Sequence, residues 1–401
     1  MIFRETEDES MTTIYLIRHA EAEGNLYRRV HGQYNSLVTD NGYRQIKALE
    51  QRFQDVKIDA VYSSDLFRTM TTARAVYVPK GLPLHVRPDL RELSMGEWED
   101  RSWAGVDRTD HPMMRRFADS APDFRAPGGE SFEELRRRGT AAVLDIAAHH
   151  PDQTVAIFAH GTIIRHTLAQ FRGIGLGPEE MAKTQHSDNT AVTKLEIEDG
   201  QVKIVYSDDN SHLDETTSTL AQQHWWKGGQ RADVNLWYRP LDLSKAVARD
   251  YYAACREDAW KNLYSNLDRY TGRGFLAEAM TVSKADPHSV WQAMFGKEPA
   301  GVLQLDPTRD AKDRSGYISF LYLNPEMRGR SLGVQLIGKA VSVFRPRGRD
   351  KLRLVCSEAN EVALRFYRKY GFRTTGQTPG AYASLHEMEK YIGYEYRGEL
   401  D

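Results

Sequence analysis

Five residues outline a chemistry before any element is assigned. Arg18 and His19 stand side by side where an apolar run stops, Arg68 lies just after "VYSSD", Glu92 sits in "LREL", and His160 ends the run "TVAIFA". Two guanidinium groups and two imidazoles suit a doubly charged anion. A phosphoryl group in transfer needs its oxygens neutralised, an in-line nucleophile and a proton for the leaving oxygen, and arginines can supply the charge without a metal. A neutral imidazole can be the nucleophile, because its ordinary pKa of about 6.5 leaves a lone pair free near neutrality. A carboxylic acid such as Glu92 can supply the proton. A metal site drawn from His19, His31, His160 and His166 is the chemical rival. His160 and His166 are six apart on one helix and so point to different faces, and no HExxH pattern or acidic cluster accompanies them. No metal is therefore expected, and without a G-x-S-x-G elbow a serine hydrolase is not supported either.

The elements that must position these residues follow from hydrophobic periodicity. Strands are expected over 13–17, 60–63 and 154–159, with helices over about 40–54, 66–77, 130–149 and 162–171. In the third of these helices Phe132, Leu135, Val143 and Ile146 share a face. Alternating strands and helices predict an α/β domain with a mostly parallel sheet, in which ligands bind outside the carboxyl ends of the strands. Counting along the pattern brings the polar residues of three of these segments to that edge. Strands over 191–197 and 201–206, joined through "EDG", predict an antiparallel hairpin that closes the sheet.

A chain of 401 residues exceeds what one core usually organises, so two domains are expected. With 54 basic and 56 acidic residues the net charge is −2, which gives no footprint for nucleic acid. No apolar run approaches the length of a membrane span. Cys255 and Cys356 are too few for a disulfide framework or a zinc site, so a cytoplasmic location is the default. The start, "MIFRETEDES", is unlike a signal peptide; residues 1–11 read as a flexible tail, with Met11 an alternative start. The polar stretch after Asp208 reads as the linker, over 211–234, with a short helix near 218–226 whose Trp225 and Trp226 dock on one domain.

In order and spacing, "LIRHAEAEGN", "SSDLFRTMTTA", "LRELSMGEWED", "PGGESFEEL" and "FAHGTIIR" resemble the histidine phosphatase superfamily, over roughly residues 12–208. The resemblance implies a phosphoglycerate mutase-like three-layer α/β/α domain over 12–210. It implies that His19 is the nucleophile that becomes phosphohistidine, and that Glu92 is the general acid and later the base for water. Arg18, Arg68 and His160 would form the phosphate pocket, with Asn25 a further contact and Gly161 bringing backbone N–H groups to the anion. Ala20 stands where the family commonly has glycine, a small-for-small exchange. Gly24 precedes Asn25 where mutases carry tryptophan, and the segment after Glu92 is compact, so hydrolysis is favoured over mutase-type transfer. Tyr34 and residues 28–31 read as a surface loop, with lining of the substrate mouth as the alternative. Trp98 and Trp103 read as packing, and residues 103–132 as a cap that sets specificity.

The second half has its own signature. The run "GYISFLYL" leads through "NPEMRGRSLG" into a helix whose Val334, Ile337, Ala340, Val341 and Phe344 form a stripe. A turn of small residues opening a helix presents unpaired N–H groups to a phosphate. The strand "KLRLVC" and then "SEANEVALRFYRKYGF" complete a resemblance to the GNAT family of acyl-CoA-dependent N-acetyltransferases, over 235–401. The resemblance implies a mixed, mostly antiparallel α+β domain that uses acetyl-CoA. Its pyrophosphate would lie on Arg328, Gly329, Arg330, Ser331, Leu332 and Gly333, and its pantetheine arm beside Leu321 and Leu323. Asn360 would be a further contact, and Tyr367 would protonate the leaving thiolate. Ser331 stands where the family usually has glycine, no general base is identifiable, and Cys356 reads as a small core residue.

The expected molecule is thus a fusion of a metal-independent phosphatase and an acetyltransferase. Its expected partners are a small phosphorylated metabolite, acetyl-CoA and an amine acceptor, with neither nucleic acid nor membrane; homo-oligomerisation is left open. The alternatives are an active phosphatase carrying a non-catalytic, acyl-CoA-sensing or scaffold second domain, a mutase-type phosphotransferase, and an adaptor with neither site active.

Overall fold

The computed structural model describes residues 10–222 and 234–394. The first sheet contains β1 (Met11–Arg18), β2 (Ala60–Ser63), β3 (Leu84–Val86), β4 (Thr154–Ala159), β5 (Val192–Glu198) and β6 (Gln201–Asp209), in the order β3-β2-β4-β1-β5-β6. The strands β3, β2, β4 and β1 run parallel, and the hairpin β5–β6 adds antiparallel to β1. Side chains alternate across the sheet as the pleat requires. Ile14, Leu16, Val155 and Ile157 face the helix Phe132–Ala148, whereas Ile17, Val61, Ala156 and Phe158 face the helices Asp40–Phe53 and Phe67–Tyr77. These layers are the expected α/β/α sandwich. Two of its helices begin where capping chemistry starts them: Thr39 Oγ1 accepts from the Gly42 N–H at 3.0 Å, and Ser131 and Glu134 form a reciprocal capping box. Such a cap is worth about 1 kcal/mol.

The second sheet is built from β7 (Leu236–Pro240), β8 (Val290–Phe295), β9 (Glu298–Asp306), β10 (Ser315–Leu323), β11 (Lys351–Ser357), β12 (Arg373–Thr378) and β13 (Leu385–Tyr391), in the order β12-β13-β11-β10-β9-β8-β7. All neighbours are antiparallel except β10 and β11. That parallel pair holds only at Ser315, Gly316 and Tyr317, after which the two strands part. A register shift between Ile318 and Phe320 leaves Ser319 as a bulge. The helix Gly333–Phe344 packs its apolar face on one side of this sheet, and Tyr252 and Cys255 of the helix Ala246–Tyr264 pack on the other.

The two halves are joined by more than their connecting chain. Tyr27, in the short helix Glu23–Tyr27, sits in the second sheet's core, and Gly338 is needed there because a Cβ would collide with the Tyr27 side chain. Arg345 donates to both oxygens of Glu23 at 2.8 and 2.7 Å, with each side chain less than a tenth exposed.

Two expectations shift. The strand β1 begins at Met11, inside the expected tail, of which residues 1–9 lie outside the described residues. Residues 210–222 are not a free linker. Ser218 Oγ and the Leu220 N–H donate to buried Asp188, and Gln45 and Asn41 donate to the Thr217 carbonyl. Ser218, Thr219 and the Thr217 carbonyl are thus spent on buried partners, while Asp214 and Thr216 bond locally at the surface. A short helix is present at Thr219–Gln222, while Trp225 and Trp226 lie outside the described residues. Among the described residues no helix is long and apolar enough to cross a membrane.

Candidate active site

Parallel register decides how the two histidines meet. Arg18 on β1 pairs with Ala159 on β4, so the next residues, His19 and His160, leave the sheet side by side with ring centres 5.2 Å apart. The Nδ1 of His19 lies 2.7 Å from the Ala20 carbonyl. A carbonyl oxygen can only accept, so Nδ1 carries the proton and Nε2 keeps its lone pair. Burial first, then the charges of Arg68 and Arg18, push this imidazole well below its ordinary 6.5, which holds it neutral. His160 is fully buried and is depressed in the same way, by burial and then by Arg68. Its Nε2 lies 2.9 Å from Ser64 Oγ, and its Nδ1 has no partner among the described residues.

The two arginines bring charge that nothing neutralises at close range. Arg68 is 1% exposed, and its guanidinium donates to the backbone carbonyls of Tyr34 at 2.9 Å and Gly32 at 2.7 Å. Burial lowers its pKa to about 10, which leaves it charged at neutral pH. Arg18 donates to the Ser187 carbonyl, while its Nε is buried without a partner. Gly161 makes room for it, since a Cβ there would stand 3.0 Å from that Nε. Among the described residues neither arginine has a carboxylate within ion-pair distance.

The carboxyl group of Glu92 is anchored at the start of the helix Gly161–Phe171. It accepts from the N–H groups of Thr162 at 2.9 Å, Ile163 at 3.0 Å and Leu93 at 2.9 Å. Asn25 lines the same cleft and accepts from the Ala22 N–H at 3.1 Å. The cleft, of about 610 Å³, runs from Arg18, His19, Arg68 and Glu92 to an apolar wall of Leu93, Met95, Trp103, Met114, Phe117 and Phe132. Arg28, Arg29 and His31 line it, so the segment expected to be a surface loop is part of the wall, whereas Tyr34 contributes its carbonyl. Trp98 is buried packing as expected, but Trp103 both stacks on Phe117 and faces the cleft. His166 stacks on Phe132 with ring centres 4.5 Å apart, remote in role from His160. Among the described residues no three His, Cys, Asp or Glu side chains converge as a metal site.

Several supporting residues escaped the motif reading. Asn189 Nδ2 donates to the His19 carbonyl at 2.9 Å, and Thr72 Oγ1 accepts from the Ala20 N–H at 2.9 Å. Together they clamp the turn that carries His19. The polar run "HSDNT" directly before β5 was the available signal for Asn189; nothing marked Thr72, inside an ordinary helix, as different from its neighbours.

The second candidate site is more open. Arg328, Gly329, Arg330 and Ser331 are exposed on the turn before the helix Gly333–Phe344, and Leu332 is buried beneath it. Gly329 has φ of +72° and Ser331 +57°, so the serine occupies a left-handed conformation that glycine adopts without steric cost. Gly333 starts the helix close against Phe366. Leu321 and Leu323 lie on β10 beyond the point where β11 leaves it. The hydroxyl of Ser319, on the bulge, is buried without a partner. Unpaired strand edge, orphaned hydroxyl and exposed helix start are compatible with an extended, phosphate-bearing cofactor such as acetyl-CoA. Asn360 caps the helix Glu361–Lys369 by accepting from the Ala363 N–H at 3.1 Å. Tyr367 is buried against Phe372, and burial, with Cys356 adding, raises its hydroxyl pKa. Cys356 is a buried core residue.

Residues 14–210 match the model of the histidine phosphatase superfamily (branch 1), and residues 249–372 that of the acetyltransferase (GNAT) family. Among curated proteins, a probable phosphoglycerate mutase GpmB of Proteus mirabilis is 34% identical over 41% of this chain and 76% of its own length. A putative phosphoserine phosphatase 2 of Hydrogenobacter thermophilus is 29% identical over 52% of this chain and its full length. A solved structure, Bacillus stearothermophilus YhfR, is 28% identical with a TM-score of 0.49, covering 51% of this chain and all of its own.

Proposed function

From the premise that the chain belongs to the histidine phosphatase superfamily and carries a GNAT-family domain behind it, we propose that its first half hydrolyses a phosphomonoester through phosphohistidine at His19. The observation that carries this reading is the His19 ring, with Nδ1 committed to the Ala20 carbonyl and Nε2 free beside two arginines that lack carboxylate partners. In the first step Nε2 attacks phosphorus, the ester P–O bond breaks, and the leaving oxygen takes a proton from the Glu92 carboxyl group. In the second, water attacks the phosphohistidine, Glu92 takes its proton, the P–N bond breaks and inorganic phosphate departs. Arg18, Arg68 and His160 would hold the phosphoryl oxygens, with Asn25 and the Gly161 N–H beside them. The apolar wall of Trp103, Met114, Phe117 and Phe132 supports a phosphate ester whose alcohol carries a ring or a sizeable apolar group, rather than a three-carbon acid.

The second half, on the same proposal, acetylates an amine. Acetyl-CoA, when bound, supplies the activated acyl group. Residues 328–333 would hold its pyrophosphate by backbone N–H groups, Leu321 and Leu323 would offer their unpaired strand edge, Asn360 would add a contact, and Tyr367 would hold the proton for the thiolate.

The test is rapid-quench labelling with a radiolabelled aryl phosphate, alongside acetyl-CoA calorimetry on the full chain. Acid-labile label is expected on the wild type and absent from His19→Ala; equal turnover by the two would overturn the phosphohistidine step. Micromolar acetyl-CoA binding is expected, and no heat at millimolar ligand would leave the second half a scaffold.

A further inference from the structure

A second cavity, of about 440 Å³, lies between the two halves; it shares Arg29 with the first cleft but includes none of the residues proposed for either reaction. Its walls come from both sides. The first half supplies Arg29, Asp100, Arg101, Ser102 and Arg108; the second supplies Trp237 and Tyr238 from β7, and Lys339 and Ser342 from the helix Gly333–Phe344. Such a volume is within the range of small-molecule sites.

Its charge is lopsided. Arg101 donates to the Thr109 hydroxyl and the Gly105 carbonyl, Arg108 lies 4.0 Å over the Trp237 ring, and Lys339 lies 3.5 Å over the Trp291 ring. None of the three has a carboxylate within ion-pair distance among the described residues. The acidic groups in the wall are already engaged. Asp100 binds Arg29 at 2.6 Å and His31 at 3.2 Å, and Glu99 accepts the N–H groups of Gly32, Gln33, Tyr34 and Met95. The Tyr238 hydroxyl, shut away from water, has no partner. Burial, reinforced by Arg29 and opposed by Asp100, brings the Lys339 ammonium down to about 7. Three basic side chains that line one cavity from two domains, facing acidic groups already engaged by Arg29, His31 and backbone N–H groups, describe half of an ionic site. The missing half is an anion, and convergent guanidinium and ammonium groups favour phosphate oxygens.

We propose that this interdomain cavity binds a small phosphorylated metabolite, held by Arg101, Arg108 and Lys339, separately from the phosphoryl group processed at His19. The site exists only while the halves are docked, so its occupant also holds them together.

Inorganic pyrophosphate and inorganic phosphate are the probes, titrated calorimetrically into the full chain. Two classes of site are expected in the wild type. Lys339→Met and Arg108→Gln should each weaken one class at least tenfold, leave the other class unchanged, and leave kcat/KM for a small aryl phosphate within twofold. Lys339→Arg should retain both classes. Thermal melting of each variant in buffer without phosphate checks that it is folded, and the ligand should raise Tm more in wild type and Lys339→Arg than in Lys339→Met or Arg108→Gln. A wild type without any class that Lys339→Met and Arg108→Gln weaken in folded protein would overturn the proposal. Competition by acetyl-CoA for the Lys339-dependent class would also overturn it, by assigning that class to the cofactor of the second half. Because the readout is the Lys339-dependent class, an inactive His19 site would not affect the result.

Discussion

Arg68 of the first half is 1% exposed and rests on backbone carbonyls, whereas Arg328 of the second lies in solvent and is already paired with Asp258 at 2.8 Å. Around His19 the cost of burying charge is met during folding, by the sheet, the clamping residues Asn189 and Thr72, and the carbonyls that hold Arg68. Around Ser331 the turn is exposed, and its charged side chain Arg328 is spent on Asp258 and the Leu323 carbonyl. A pre-formed pocket can stabilise a transition state without reorganising. A site on an open turn keeps its polar groups in water until a ligand displaces it.

Breaking the first site should show the largest effect. His19→Ala is expected to lower phosphatase kcat by about 10⁴-fold, while the acetyl-CoA dissociation constant stays within twofold. A shared loss would mean that the two sites are not independent units.

Next comes the contact between the halves. Arg345→Met leaves Glu23 buried without its partner, and should destabilise the docked protein by about 3–5 kcal/mol in chemical denaturation. Burial opposes ionisation of Glu23, but the charge and hydrogen bonds of Arg345, helped by the Leu37 N–H and Lys390, hold its pKa below the ordinary 4.5. A depressed carboxyl stabilises the fold above its unfolded value and loses that contribution as pH falls through the folded one. The docked arrangement should therefore loosen below about pH 4.5 in wild type, and Glu23→Gln should remove that acid transition.

Acid should also separate the halves more gently. His19 and His160 are both held well below 6.5, so the unfolded chain binds protons that the folded one refuses. Stability of the first half should decline as pH drops below 6.5, by up to about 1.4 kcal/mol per unit for each histidine. In the second half Lys339 is the depressed base, at about 7, so most of its effect falls above pH 7. Thermal melts at pH 7.5 and 5.5 with domain-specific tryptophan reporters check this; parallel declines in both halves would refute it.

The smallest expected effect sharpens the account of the open turn. Ser331 at φ of +57° carries the cost of a left-handed conformation, and Ser331→Gly should relieve up to about 1 kcal/mol. Acetyl-CoA affinity should hold or rise by a few-fold; a fall of tenfold would show that the Ser331 hydroxyl itself binds the ligand.

The elements legible in the sequence were those whose burial is regular. The strands at 60–63 and 154–159 have the expected limits, and the helix striped by Val334, Ile337, Ala340, Val341 and Phe344 buries that face. The short helices of the cap, Trp103–Thr109 and His111–Ala118, were not legible, because they bury too little of one face to impose a period. Residues 210–222 misled for a related reason: hydrogen bonds to Asp188 and Glu21 hold them, and composition cannot distinguish a satisfied polar group from a solvated one. The 28–31 segment likewise carries two arginines and a histidine, yet they are held in the cleft wall by Asp100 and Asn235.

What the sequence determined by itself is the inventory of chemistry: arginine next to histidine at a strand end, a second arginine, an acid and a second histidine in order, and then a glycine-containing turn opening a helix. Local patterning is enough for this, because strand and helix periods depend on neighbours a few residues away. Only the tertiary structure decided which atoms of that inventory are free. The register of β1 against β4 sets His19 beside His160, the Ala20 carbonyl selects the tautomer, and carbonyls rather than carboxylates hold Arg68. The pairing of Glu23 with Arg345, 322 residues apart, and the cavity between the halves belong to the same class. Contacts across such distances depend on packing of whole domains, which no local period encodes.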